Sequence, residues 1–341
     1  MASSEGIIRP FNQWGIDAEL VEHQVADTWG QIRHLEGDEL TIERIDSTSW
    51  VVPATGARVF KHTATLSSGE PYVIGANDML EYIAHKIESK HWQTSAPAFP
   101  YRTIDKVLDH LNLSEMPDDC RIALVEFCLH NDHPFNQLMV ALNTIFVGEH
   151  RNLLLDSERI DSVLEGITWH PNGVPSETIS TKSSRRLNQL IEELRKRYRE
   201  NNFESVALWV EDVTNVIKRD FHGALFFSKL YRLDELEFKT KISDILKTFG
   251  MPLVFNQSDE AVSILPEKYE PSQFFQFYAA QKLLEFVSHT GNTCPLISVC
   301  EARNPDLIDD NCYNNAIARG LDEYLCPFGQ LIRTYDLHRI E

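Results

Sequence analysis

The densest group of side chains able to do chemistry lies in the segment Cys128-Leu129-His130-Asn131-Asp132-His133. Thiolate sulfur and imidazole nitrogen are the ligands that zinc prefers in a tetrahedral site. The segment crosses the predicted end of a helix, so its side chains cannot all face one point. We therefore interpret Cys128 as a core residue and the others as a helix end and turn, while Cys128, His130 and His133 stay the candidate metal ligands.

Four of the six cysteines lie late in the chain, at Cys294, Cys300, Cys312 and Cys326. Their spacing contains no pair two to four residues apart, which structural zinc sites commonly use. A free cysteine often packs as a small apolar side chain. An even cysteine count in a long chain without an apolar leader does not indicate a disulfide framework. The sequence predicts reduced, buried thiols, no cofactor and a cytoplasmic location.

Carboxylates offer a second chemistry, because a metal-dependent nuclease needs two or three of them to converge on Mg²⁺. Glu301 follows the predicted strand Leu296–Cys300, and Arg303 comes two residues later, which is similar to the acidic-x-basic strand end of restriction-type nucleases. Asp259 and Glu260 are the further candidates for catalytic carboxylates. Because acidic residues are abundant, we interpret all of them as solvated surface and keep a Mg²⁺-dependent nuclease as the alternative.

A basic run stands out on the predicted helix 184–200. It consists of Arg185, Arg186, Arg195, Lys196, Arg197 and Arg199. A basic helix can bind phosphates or an acidic protein face. Its last cations also suit the helix C-terminus, where they stabilise the helix dipole and pair with Glu192 and Glu193. A structural role, a nucleic-acid contact and a self-association surface all stay open.

The formal net charge of −19 comes from 32 Lys plus Arg against 51 Asp plus Glu. Such a surface repels nucleic acid and anionic lipid at long range. No stretch approaches the roughly 18 apolar residues that a membrane span needs. We therefore expect the partner to be another protein or a second copy of the chain, and we expect no membrane association. Nucleic-acid binding is possible, but the net charge does not favour it.

Motifs that would fix an activity are absent from the sequence. There is no P-loop, no G-x-G-x-x-G, no G-x-S-x-G and no H-E-x-x-H. Arg333 and His338 have the spacing of a HEPN-like ribonuclease pair. The sequence therefore leaves open whether the protein is an enzyme.

The apolar pattern predicts an α+β fold that is predominantly helical. Period-two and β-branched segments at Leu40–Ile45, Trp50–Val52 and Arg58–Leu66 predict a small N-terminal antiparallel sheet. Strands are also predicted at Leu153–Leu155 and Leu296–Cys300, with a β-hairpin at 251–265 in a winged-helix-like order. Helices are predicted from Asn77 onwards, three times within 104–146, and at 184–200, 205–219, 224–233, 235–248 and 271–289.

Four segments follow from these elements. They are an α+β module at 1–95, a helical module at 96–167, a linker at 168–183 and a helical domain at 184–341 with its hairpin. The linker holds two prolines, a glycine and many hydroxyl side chains.

A helix that ends at His133-Pro134 is followed by a helix with Asn143, then by Gly148 and by Leu153–Leu155. On these features residues 104–155 resemble the N-terminal module of AbiJ-type abortive-infection proteins of bacteria. The resemblance implies a sensor or adaptor module of an antiphage system and supplies no catalytic residues.

The function expected from the sequence is therefore a non-enzymatic interaction or regulatory protein of a bacterial antiphage defence system. A metal-dependent nuclease effector is the first alternative. A viral structural or nucleoprotein component is the second.

Overall fold

The computed structural model confirms the predicted fold class, which is α+β and mostly helical. It describes residues 29–31, 33–51, 58–92, 96–131, 133–147, 152, 155–169, 177–199, 204–221, 225–255, 261–274 and 293–334. The chain divides into two compact units. We call Glu19–Gln189 with Val213–Ile245 the sheet unit, and Met1–Ala18, Leu190–Asp212 and Leu246–Glu341 the C-terminal unit.

The sheet unit contains the predicted N-terminal antiparallel sheet. Its strands are β1 (Ile42–Val51), β2 (Arg58–Leu66) and β3 (Pro71–Ile74), in the order β1-β2-β3. Alternate residues of β2 are buried toward its end, at His62, Ala64 and Leu66, as the period-two pattern requires. The β2–β3 turn uses Gly69 at φ 81°, a conformation that glycine adopts without steric cost.

Helices cover one side of this sheet and continue into the rest of the chain. They are α1 (Ala76–His91), α2 (Thr103–His110), α3 (Asp118–Leu129), α4 (Pro134–Val147), α5 (Ile160–Gly166), α6 (Ile179–Arg199), α7 (Glu204–Phe221), α8 (Phe226–Arg232) and α9 (Glu235–Phe249). Between α5 and α6, β4 (Thr168–Trp169) pairs with β5 (Glu177–Thr178). Of the predicted linker 168–183, residues 170–176 lie outside the described part.

Helix α3 is the centre of the sheet unit. Every residue from Ile122 to Cys128 is buried, including one carboxylate, Glu126. A helix that is apolar almost all round belongs in a core, and α3 contacts α1, α4, α5 and α8. The core therefore combines side chains from both predicted modules, 1–95 and 96–167, with Leu225 from beyond them.

The C-terminal unit holds the predicted hairpin and several short helices. Its elements are β6 (Met251–Phe255), β7 (Ala261–Ile264), α10 (Ile297–Arg303), α11 (Asp310–Asn314) and α12 (Pro327–Thr334), with 3₁₀ turns at Pro305–Leu307 and Ala316–Leu321. Its core includes Val206, Tyr269, Phe274, Cys312, Phe328 and Ile332. The hairpin turn 256–260 and residues 275–289 of the predicted helix 271–289 lie outside the described part.

The predicted strand Leu296–Cys300 is wrong, because Ile297–Arg303 forms helix α10. The N–H of Cys300 donates to the carbonyl of Leu296 at 3.0 Å, as in a helical turn. No strand pairs with this segment within the described residues, and a helix satisfies its own backbone groups where an unpaired strand cannot. The predicted strand Leu153–Leu155 cannot be assigned, since Leu153 and Leu154 lie outside the described residues.

Candidate functional site

An apolar groove of about 510 Å³ opens on the sheet unit between α1, α8 and α9. Helix α1 contributes Leu80, Ile83, Ala84 and Ile87, together with the carboxylates Glu81 and Glu88. Helix α8 contributes Phe226, Phe227 and Leu230, and α9 contributes Phe238, Ile242 and Ile245. Pockets of this size and composition are the usual places where proteins bind ligands or partners.

Helix α1 forms one wall because it has two apolar faces. Met79 and Tyr82 are fully buried in the core, whereas Leu80 is 39% exposed. Leu80, Ala84 and Ile87 recur at i, i+4 and i+7, which places them on a common stripe along the helix. This second stripe faces the groove, so the apolar surface of α1 exceeds what the core covers.

Helix α9 forms another wall with the same periodicity, since Phe238, Ile242 and Ile245 are also at i, i+4 and i+7. Phe238 is 2% exposed and stacks on the ring of His91, with centroids 3.8 Å apart and an interplanar angle of 11°. The Trp92 ring meets Phe238 edge-on at 5.9 Å. These aromatic contacts hold the start of α9 against the end of α1.

Helix α8 is attached to the core by the buried carboxylate of Glu126. The N–H of Phe227 donates to Glu126 Oε1 at 3.0 Å, and the N–H of Ser228 donates to Oε2 at 2.8 Å. Burial raises the pKa of Glu126 to about 7, and these backbone N–H groups oppose the rise. The carboxylate thus caps the N-terminus of α8 and fixes the position of Phe226 and Phe227 in the groove.

A second buried carboxylate, Asp78, fixes the start of α1. It accepts hydrogen bonds from the Tyr72 hydroxyl at 2.9 Å, the Thr103 hydroxyl at 2.8 Å and the Gly75 N–H at 2.9 Å. Burial raises the pKa of Asp78 to about 7, while the hydrogen bonds from Gly75, Thr103 and Tyr72 oppose the rise. This network ties β3, α1 and α2 together beneath the groove wall.

An ion network holds the middle of α1 to α2 and α3. Lys86 Nζ lies 3.0 Å from both the Asp105 and Asp118 carboxylates. Arg121 Nη1 donates to Asp105 at 2.6 Å, and the Tyr82 hydroxyl donates to the same carboxylate at 3.0 Å. Buried polar contacts thus hold α1 and α8, two of the three helices that line the groove.

The candidate metal ligands Cys128, His130 and His133 each have different surroundings. Cys128 is fully buried in the core, and burial raises the pKa of its thiol. Burial, with Lys182 and Arg186 nearby, lowers the pKa of His130 to about 4. His133 packs edge-on against Phe60 at 5.2 Å. Within the described residues, no three His, Cys, Asp or Glu side chains form a group that could hold a metal ion.

The predicted basic surface is engaged within the protein wherever its side chains are described. Arg185 pairs with Glu177 at 2.7 and 3.0 Å, and Arg186 donates to the His130 carbonyl at 3.1 Å. Arg195 Nε donates to Glu211 at 3.0 Å. The side chains of Lys196, Arg197 and Arg199 lie outside the described part, so binding through this run stays a prediction.

Of the candidate catalytic carboxylates, only Glu301 lies within the described residues. Glu301 is exposed on α10, and the Tyr313 hydroxyl lies 3.5 Å from its Oε1. Asp259 and Glu260 lie outside the described residues, as does His338. Arg333 donates to the Gly320 carbonyl at 2.7 Å.

The four late cysteines all belong to the C-terminal unit. Cys294, Cys312 and Cys326 are buried in its core, and Cys300 is half-buried. Burial raises the pKa of Cys294, and the thiols of Cys312, Cys326 and Cys300 add to the rise. All of these thiols are free.

Comparison of the chain with protein-family models, with curated proteins and with solved structures found no match. Among the described helices, none has both the length and the apolar character required to cross a bilayer. The sequence patterns did not predict the groove, which is the feature on which a functional proposal rests. The available signal was the width of the apolar surface of α1. From Tyr82 through Met79, Ile83, Ile87 and Leu80 to Ala84 it spans roughly 200° of the helix, whereas one core-facing stripe needs about 100°.

Proposed function

We propose that this protein is an interaction protein whose groove binds an amphipathic helix of a partner protein. The observation that carries the proposal is that two apolar stripes, one on α1 and one on α9, line the same groove, each with residues at i, i+4 and i+7. Helix-in-groove recognition uses the same spacing of apolar anchors on the bound helix.

The dimensions favour a short helix as the occupant. Each apolar stripe advances by seven residues, from Leu80 to Ile87 on α1 and from Phe238 to Ile245 on α9. At 1.5 Å per residue, that is a length of about 10.5 Å along the helix. About two turns of a partner helix match that length. Leu80 is 39% exposed and Phe227 is 38% exposed, so apolar surface is available at the groove mouth. Exposed apolar patches on soluble proteins commonly mark interaction sites.

The resemblance of residues 104–155 to abortive-infection proteins favours a sensor or adaptor role in antiphage defence as the context of this binding. A nuclease effector and a nucleoprotein component stay predictions from the sequence. The described residues add no observation that favours either of them over partner binding.

The test is selection from a library of helical peptides in which the apolar stripe and the flanking positions are both randomised. Enriched peptides are then titrated against the wild type and two variants, Leu80→Asp and Phe227→Asp. Both positions are partly exposed, so we expect each variant to fold, and circular dichroism checks this before titration. Leu236→Asp is the matched control, because Leu236 is 76% exposed on α9 and does not line the groove.

We expect peptides that bind the wild type and Leu236→Asp equally and each groove variant at least about tenfold more weakly. That loss corresponds to the roughly 1.5–3 kcal/mol gained when one large apolar side chain is buried. Failure to enrich any peptide, or equal binding to all four proteins, contradicts the proposal. Entry of a small apolar dye without peptide binding would make the groove a small-molecule site instead.

A further inference from the structure

Two carboxylates stand along one edge of the groove. Glu81 and Glu88 both line it from α1 and are seven residues apart, which is about two helical turns or 10.5 Å. Glu88 is exposed and Glu81 is half-buried. The α1 edge of the groove therefore carries two negative charges, and their spacing along the edge matches the length of a bound helix of two turns.

The lysines nearest to these carboxylates in α1 are engaged elsewhere. Lys86 pairs with Asp105 and Asp118, each at 3.0 Å. Lys90 donates to the Leu233 carbonyl at 2.9 Å and lies over the Tyr231 ring at 4.6 Å. Within the described part of the chain, neither Glu81 nor Glu88 forms a salt bridge, so both carboxylates can accept new hydrogen bonds.

The two edges of the groove differ in charge. Among the residues that line the groove, α9 contributes apolar side chains and no charged one, and the exposed Lys239 of α9 pairs with Glu235. Between Glu81 and Glu88, Tyr82 is buried and donates to Asp105. The pKa of His85 is lowered by burial and then by Lys86 and Arg102, while Glu88 and Asp105 oppose the shift. The charge in the lining of the groove is therefore negative and lies on its α1 side.

We infer that the partner helix carries lysine or arginine at two positions about two turns apart, along the side of its apolar stripe that faces Glu81 and Glu88. The inference rests on the proposed function of the groove. The chain's net charge of −19 would add long-range attraction for such a basic helix. Charge complementarity of this kind fixes register and orientation more than it adds affinity.

The expected effect is modest because the edge is solvated. Two ion pairs at the solvated edge of the groove give about a two- to thirtyfold preference for a peptide with both basic residues over the same peptide with glutamines. The preference should decline as salt rises, since exposed charges are screened over roughly 10 Å at 0.1 M salt.

The test uses a selected groove-binding peptide with two basic edge residues and its glutamine counterpart. Both are titrated against the wild type, against Glu81→Lys/Glu88→Lys, and against Glu43→Lys/Glu158→Lys. The last protein has the same net charge as the second, and its substitutions are at exposed sites away from the groove.

We expect the preference for the basic peptide to be lost or reversed in Glu81→Lys/Glu88→Lys and retained in the control. Equal loss in both double variants would assign the preference to net charge and overturn the inference. Selected peptides that depend on Leu80 yet carry no basic bias would also overturn it, while leaving the proposed function intact. Peptides that ignore Leu80→Asp would overturn the proposed function itself.

Discussion

The buried carboxylate of Glu126 makes the stability of the sheet unit depend on pH. Its pKa is raised from an ordinary 4.5 to about 7, chiefly by burial. The folded protein therefore holds this proton more tightly than the unfolded chain does. The stabilising share of Glu126 is fully present below about pH 4.5 and is lost as the pH rises through about 7.

The magnitude follows from the same two values. Each pH unit between the unfolded and folded pKa corresponds to about 1.4 kcal/mol. Between about pH 5 and about pH 8 most of that interval is crossed, so the Glu126 share of the unfolding free energy should fall by about 2–3 kcal/mol. Glu126→Gln removes the titration and keeps one acceptor for the N–H groups of Phe227 and Ser228.

The assay is urea unfolding of the wild type and Glu126→Gln at both pH values. Relative to the variant, the wild type should be more stable by about 2–3 kcal/mol at about pH 5 than at about pH 8. Amide hydrogen exchange at Phe227 and Ser228 would locate the change at the start of α8, where the carboxylate accepts. A difference between the two proteins that stays constant with pH would refute the assignment of the raised pKa to this site.

Three further outcomes follow from the contacts around the groove. Asp78→Asn should reduce the dependence of the unfolding free energy on pH in the same interval, because the pKa of Asp78 is also raised by burial to about 7. Urea unfolding across that interval measures this dependence. The same dependence in the wild type and the variant would contradict the prediction. Phe238→Ala should lower the unfolding free energy by about 3–5 kcal/mol, since it removes a buried ring stacked on His91. It should also weaken peptide binding, because Phe238 lines the groove. Unchanged peptide binding by a less stable variant would show that Phe238 supports the fold and not the binding. Arg121→Ala should lower the unfolding free energy by about 3 kcal/mol, because it removes the closest partner of Asp105, and Arg121→Lys should lower it by less. Urea unfolding checks both values. Equal unfolding free energies for the two variants would show that the ion pair contributes little.

Much of the fold could be predicted from the sequence, because its elements have strong local patterns. The alternation at Arg58–Leu66 corresponds to β2, and the apolar run Ile122–Cys128 lies in α3. Leu296–Cys300 went wrong for a physical reason: β-branched residues favour a strand only where another strand can pair with them. The described residues provide no such pair, and the segment is helical.

The groove could not be predicted in the same way. Periodicity shows that Met79, Leu80, Ile83 and Ile87 are apolar, but it does not show which of them the core will cover. The structure buries Met79 in the core and leaves Leu80 39% exposed. The groove beside Leu80 is formed with side chains of α8 and α9, which come more than 130 residues later in the chain. Glu126 did leave a signal, since a single carboxylate inside the run Ile122–Cys128 implies a buried partner for it.

Methyl NMR of the wild type with a selected peptide tests the central claim most directly, because it reports where the peptide lies without any substitution. We predict that the methyl signals of Leu80, Ile87 and Ile242, which line the groove, shift or broaden as peptide is added. Those of Leu236 and Val140, which are exposed elsewhere, should stay in place. Saturable shifts at Leu236 or Val140 with unchanged groove signals would contradict it.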